Sequence, residues 1–131
     1  MTKPTGIIIR QSPFTVKQTI DRLMAALEAK GATIYARIDQ QQELKKVNQT
    51  IRPVEFLLFG NPKVGGPAMT ENIMVALDLP LKAVAWEDEN KDVQIAYNTA
   101  AYIKSRYSLS AAIAAPLDLE PLITEILSWT L

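Results

Sequence analysis

Gly60 and Gly65 are separated by four residues with Lys63 between them, which invites comparison with the loops that cradle nucleotide phosphates. Those loops place a lysine and a hydroxyl directly after the second glycine, to reach the phosphates and a magnesium ion, whereas Gly66 and Pro67 occupy these positions here. The chemistry that survives is simpler. Backbone N–H groups of Gly60, Asn61, Gly65 and Gly66 in a glycine turn, with Lys63 nearby and a helix N-terminus following, suit one anion or carboxylate, and Met69 is placed to line such a site. The competing reading of the same residues is a purely structural turn.

The acidic candidates are Asp39, Glu55, Asp78 and the group Glu87, Asp88, Glu89 and Asp92. Paired carboxylates can do acid–base work, and several converging ones can hold a hard cation. The last group is interrupted by Asn90 and Lys91 and lacks the spacing of a calcium loop, so it reads as a solvated hairpin turn and no metal is expected. Asp78 lies between Leu77 and Leu79 just before Pro80, where a half-buried carboxylate needs donors. The expected role is to fix a turn. The catalytic alternative uses Asp78 or Asp39 with Lys63 or Lys82 as acid and base.

Composition removes whole classes of function. The chain has no Cys and no His, which excludes disulfides, thiolate nucleophiles, zinc sites built on those residues and imidazole-dependent triads. Lys plus Arg and Asp plus Glu each number 14, so no net field draws the chain to a nucleic acid or an anionic membrane. Lys45, Lys46 and Arg52 stand beside Glu43 without interleaved aromatics and read as a solvated helix face. Three consecutive apolar residues before Arg10 are too few for a signal peptide, and no apolar run approaches the about 20 residues of a membrane span. A cytoplasmic protein is expected, and no cofactor is indicated.

A length of 131 residues with 48% hydrophobic content suits one domain. Residues 6–10 read as a strand, and residues 15–30 as an amphipathic helix with Val16, Ile20, Leu23, Met24 and Leu27 on one face. Thr15 with Gln18 supplies a capping box, and Gly31 a left-handed C-terminal cap. In residues 32–38, Ala32, Ile34, Ala36 and Ile38 alternate with Thr33, Tyr35 and Arg37, the pattern of a half-buried strand. A short surface helix over 40–48, a central apolar strand over 54–59, a turn over 60–67 and a helix over 70–76 follow. Residues 81–87 and 93–97 predict an antiparallel hairpin. Asn98 is placed to cap a helix over 99–106, a small-residue joint covers 110–115, and a last helix runs from 119 to 129. Trp129 and Leu131 near its end hint at a partner surface, against the plainer docking of that helix on its own sheet.

The ordered pair Phe59-Gly60-Asn61-Pro62 and Leu77-Asp78-Leu79-Pro80, with the glycines and Met69 between them and Trp86-Glu87-Asp88 and Tyr97-Asn98 after them, resembles the DUF302 family. The resemblance runs from Gly6 to Ser108. It implies a two-layer α+β domain whose curved, mostly antiparallel sheet is covered on one face by helices in the order β-α-β-(α)-β-(α)-β-β-α-α, often as a homodimer. It implies no activity. The chain departs from the family pattern at Asp39-Gln40, where members often carry His after the Asp, and at Gly65-Gly66, where Gly-Thr is common. The departures favour a small-ligand binding or accessory module over an enzyme, with a protein–protein interaction module as a further alternative.

Overall fold

The computed structural model describes residues 3–128, so Trp129 and Leu131, and the partner surface they suggest, lie outside the described residues. Strand β1 (Ile7–Ser12) leads to helix α1 (Val16–Ala29) and strand β2 (Thr33–Asp39). Helix α2 (Gln40–Lys45), strand β3 (Val54–Gly60) and helix α3 (Pro62–Glu71) follow, then a 3-10 turn (Ile73–Leu77) and the hairpin of β4 (Leu81–Glu87) and β5 (Val93–Asn98). The chain finishes with α4 (Ala100–Tyr107), the four-residue α5 (Ala111–Ala114), a second 3-10 turn (Ala115–Leu117) and α6 (Glu120–Ile126).

Both ends of α1 follow from local chemistry. The Thr15 hydroxyl accepts the Gln18 N–H at 3.1 Å while the Gln18 side chain accepts the Thr15 N–H at 3.1 Å, so two orphan donors are satisfied. Gly31 adopts φ 81° just past the helix, a conformation a side chain would oppose. Its apolar face buries Val16, Ile20, Leu23 and Leu27 against Leu57, Phe59, Ala85 and Ile95 of the sheet, with Leu122, Ile123 and Ile126 of α6 beside it. The terminal helix therefore docks on its own domain.

The five strands pair antiparallel in the order β1-β5-β4-β3-β2. β3 is an interior strand, but β4 holds the centre. The apolar density of β3 has a different origin from burial under two layers: Glu55, Leu57 and Phe59 are buried on the helix side, while Val54, Phe56 and Leu58 point to the other face. Register links that second face into rows. Ile9, Ala96, Val84, Phe56 and Ile38 stand side by side across all five strands, and Gln11, Gln94, Trp86 and Val54 form the next row. None of these residues belongs to the buried cluster beneath α1 and α6, so this face of the sheet is open on that account.

The simple alternation expected in β2 is broken by a register shift between Ile34 and Ala36. One extra residue, Tyr35, re-phases the strand. Arg37 consequently joins the helix-covered side, where its Nε donates to Glu55 at 2.8 Å and its NH1 to Asp21 at 2.6 Å. The hydrogen bond from Lys17, then that from Arg37, hold the Asp21 carboxyl below its usual range.

Three local expectations are corrected. The turn over 60–67 is largely helix, because α3 starts at Pro62 and contains Gly65, Gly66 and Pro67. Asn61 caps it by accepting the Lys63 N–H at 3.0 Å, and Pro62 at its first turn has no donor to lose. The helix over 70–76 is replaced by the end of α3 and the 3-10 turn, where extended Asn72 ends the one and caps the other. For α4 the cap is Thr99, whose hydroxyl accepts the Tyr102 N–H at 3.0 Å, instead of Asn98.

Candidate functional site

Helix α3 lies at one end of the sheet over a second buried cluster, made of Ala68, Val75, Ile103, Tyr107, Leu109, Ala114 and Leu117. Between its first turns and the sheet is an apolar cavity of about 250 Å³. Gly60 and Asn61 bring the chain in from β3, and Pro62, Val64, Gly65 and Met69 form the helical wall. Leu79, Pro80 and Leu81 form the opposite wall, with Tyr35 of the β2 bulge and Leu117 completing it. A second cavity of about 380 Å³ shares Gly60, Asn61, Val64 and Leu81 and continues toward Leu27, Lys30, Ala32, Asp118 and Leu122. The two cavities adjoin at these shared wall residues, at the N-terminal end of α3, as the two lobes of one groove.

The glycines here serve a purpose other than backbone freedom. Positive φ among glycines occurs at Gly6 and Gly31, and Gly60, Gly65 and Gly66 have ordinary backbones. A Cβ on Gly65 would sit 3.7 Å from Leu79 Cδ1 and 3.9 Å from Met69 Cε. One on Gly60 would sit 3.6 Å from both Pro80 Cβ and Tyr35 Cε2. These are ordinary contact distances, so a side chain is sterically acceptable at first contact and would occupy the cavity. A glycine inside a helix costs about 0.5–1 kcal/mol relative to alanine. Empty space is what that cost leaves behind.

Of the expected ligand residues, Gly60, Asn61, Gly65 and Met69 line the cavity, and Lys63 and Gly66 do not. The expected cradle of backbone donors is corrected by α3: the Gly65 N–H donates to the Asn61 carbonyl at 2.9 Å and the Lys63 N–H to the Asn61 side chain. A helix consumes the donors that a loop would have left free. The side chains with polar atoms among those lining the first lobe are Asn61, whose Oδ1 accepts from the Lys63 N–H, and Tyr35. Tyr35, half-exposed, and Leu117, buried, belong to no motif of the sequence. The bulge at Tyr35, which sets it beside the cavity, and the long-range approach of residue 117 leave no local signal.

The acid–base candidates are not joined to one another. Asp39 caps α2 by accepting the Gln42 N–H at 2.9 Å. Asp78, its side chain 15% exposed, accepts from the Tyr107 hydroxyl and from Arg106 NH1 at 2.9 Å. That ties the segment leading into Leu79 and Pro80 to α4, a bond reinforced where Asn72 Nδ2 donates to the Tyr107 carbonyl at 2.9 Å. The hydrogen bond to Asp78, then burial, pushes the Tyr107 phenol above its ordinary value. Lys82 alternates with the buried Ala83 and projects from the open sheet face, and Lys63 is exposed on α3. Asp88 accepts the Asn90 and Asp92 N–H groups at 2.9 and 3.0 Å and closes the hairpin turn. Among the described residues no three acidic side chains converge as a metal site.

Over 105 residues the chain is 32% identical to a protein named fluoride-specific ion channel FluC 1 of Brucella suis biovar 1 (strain 1330), covering 80% of this chain and 41% of that protein. The same identity and length relate it to fluoride-specific ion channel FluC 2 of Brucella melitensis biotype 1, with 39% of that protein covered. The chain thus spans about two fifths of the length of the curated relatives it matches. No helix of the described residues is long and apolar enough to cross a membrane. The crystal structure of an uncharacterized conserved DUF302 protein from Bacillus stearothermophilus superimposes with a TM-score of 0.77 at 20% identity, covering 95% of this chain and 97% of that one. That likeness establishes the fold. The family model described as domain of unknown function DUF302 matches residues 8–126, and the chain belongs to the DUF302 family.

Proposed function

We propose that this protein is a small-ligand binding module whose site is the groove beside α3. The observation that carries the reading is the pair Gly60 and Gly65, which have no conformational need to be glycine and which leave a cavity open where a methyl group would begin to fill it. The lining favours an amphipathic ligand over a small anion, because the donors of α3 are used internally and the walls are apolar. Native mass spectrometry of gently purified protein, compared with its denatured mass, tests this. Added mass that is present in the wild type and missing from Gly65→Leu supports the groove; the same added mass on both places the ligand elsewhere.

The module works as a homodimer in this reading, and the open sheet face is the surface that supports it. Five strands spaced about 4.8 Å apart and six residues long at about 3.3 Å each present a face of roughly 500 Å² in plan. Side-chain relief brings this near the about 800 Å² per partner of a standard interface. Its middle row is apolar from Ile9 to Ile38. Light scattering on wild type and Val84→Glu is the test: twice the chain mass is expected for the first and one chain mass for the second. A monomeric wild type rejects the dimer, and a dimeric variant rejects this face.

The channel relatives favour a second reading, that of an accessory domain. In them the region similar to this chain accounts for about two fifths of the protein, and no helix of the described residues here is long and apolar enough to cross a membrane. A role beside the permeation path, instead of within it, follows from that division. Removing the matching region from the Brucella suis protein and measuring fluoride flux in vesicles should leave conduction intact; abolished flux in a correctly assembled channel would reject the accessory role.

A further inference from the structure

We infer that the groove takes a medium-chain fatty acid, with its alkyl chain in the lobe walled by Gly65, Met69 and Pro80 and its carboxylate at Lys30 in the other lobe. The inference rests on the groove being a ligand site and adds the class of ligand. The two lobes differ in charge. No charged residue lines the first, so an ionic or heavily hydroxylated ligand there would lose hydration without recovering partners. Each methylene moved from water into such a lobe favours binding roughly fourfold. The second lobe carries Lys30 and Asp118. Asp118 is engaged, since its Oδ1 accepts the Glu120 N–H at 3.0 Å. Lys30 is held loosely: its ammonium stands 3.7 Å from Glu125, and the two side chains are 59% and 63% exposed. A pair so solvated is weak, and a ligand carboxylate at the groove can replace it. An occupant that spans the shared wall of Gly60, Asn61, Val64 and Leu81 is elongated, apolar at one end and anionic at the other.

Calorimetric titration of the full chain with decanoate, below its micelle concentration, and with decanol separates the two levels of the argument. Both probes should bind wild type, and Lys30→Gln should weaken decanoate by about threefold or more while leaving decanol unchanged. Gly65→Leu should weaken both by about tenfold or more, with circular dichroism confirming its fold. Should that variant unfold, amide chemical shifts of wild type with decanol give the location directly, with changes expected at Gly60, Gly65 and Met69. Equal decanoate affinity in wild type and Lys30→Gln, with decanol bound, overturns the assignment of the head group and leaves the groove standing. Failure of both probes to bind, or shifts confined to Phe56 and Val84, overturns the groove itself.

Discussion

The helix-covered face of the sheet is filled in two different ways. Under the middle of α1 and α6, Ile20, Leu23, Leu57, Ile95 and Ile123 are fully buried and the layer is closed around them. In α3 the helix contains two adjacent glycines and an interior proline, and beneath it a cavity of about 250 Å³ remains. A closed layer maximises burial, and a helix of weak formers over open space gives up stability. The first region holds the fold together, and the second is available for a ligand.

The largest effect that would sharpen this contrast is a truncation in the closed layer. Leu23→Ala should cost about 2–5 kcal/mol in urea unfolding, because the lost transfer energy is joined by a new cavity that the sheet cannot collapse to fill. A cost below about 1 kcal/mol would remove the distinction between the regions. Next is the tether between them. Asp78→Asn should cost about 1–3 kcal/mol, since Tyr107 and Arg106 lose a charged acceptor. It should also weaken ligand binding by displacing Leu79 and Pro80. If stability falls while affinity is unchanged, the wall does not depend on Asp78.

Tyr107 adds a pH signature. Its folded phenol titrates above the ordinary value, so the unfolded chain loses its proton first as pH rises. The associated stability is complete below about pH 10 and is lost as pH climbs through the folded value. Tyr107→Phe should flatten that alkaline decline in a stability–pH profile, and an unchanged profile would mean that another group causes it. In the closed region Asp21 has the opposite sign. Its lowered pKa contributes stability above about pH 4 that is lost on acidification, a minor loss for a side chain 42% exposed. Asp21→Asn should reduce the acid slope slightly. One stability change is a gain: Gly65→Ala should raise stability by about 0.5–1 kcal/mol while lowering ligand affinity. A stability loss there would show that the glycine is needed by the backbone and not by the cavity.

Legibility in the sequence followed the range of the forces involved. The capping box at Thr15, the left-handed Gly31, the periodic face of α1 and the β4–β5 hairpin depend on neighbours a few residues apart, and all stand in the structure. Residues 60–67 read as a turn because Gly, Asn and Pro mark turns on average, whereas Asn61 as cap and Pro62 at the first turn are also how a helix begins. In β2 the alternation was visible and the bulge was not, since a bulge is a relation between two strands. Motif spacing drew attention to residues 60–69 as an anion loop, although the structure makes the same residues the wall of an apolar groove.

The chain by itself determined which chemistries are absent, where its long elements start and stop, and which faces must be buried, because composition, capping and periodicity are local. Tertiary structure alone decided that the glycines leave volume instead of turning the backbone, that Tyr35 and Leu117 meet at one cavity, and that Asp78 is committed to Tyr107 and Arg106. Empty space is a property of how elements pack. It has no residue of its own, so it acquires a location only when β3, α3 and the segment before β4 come together.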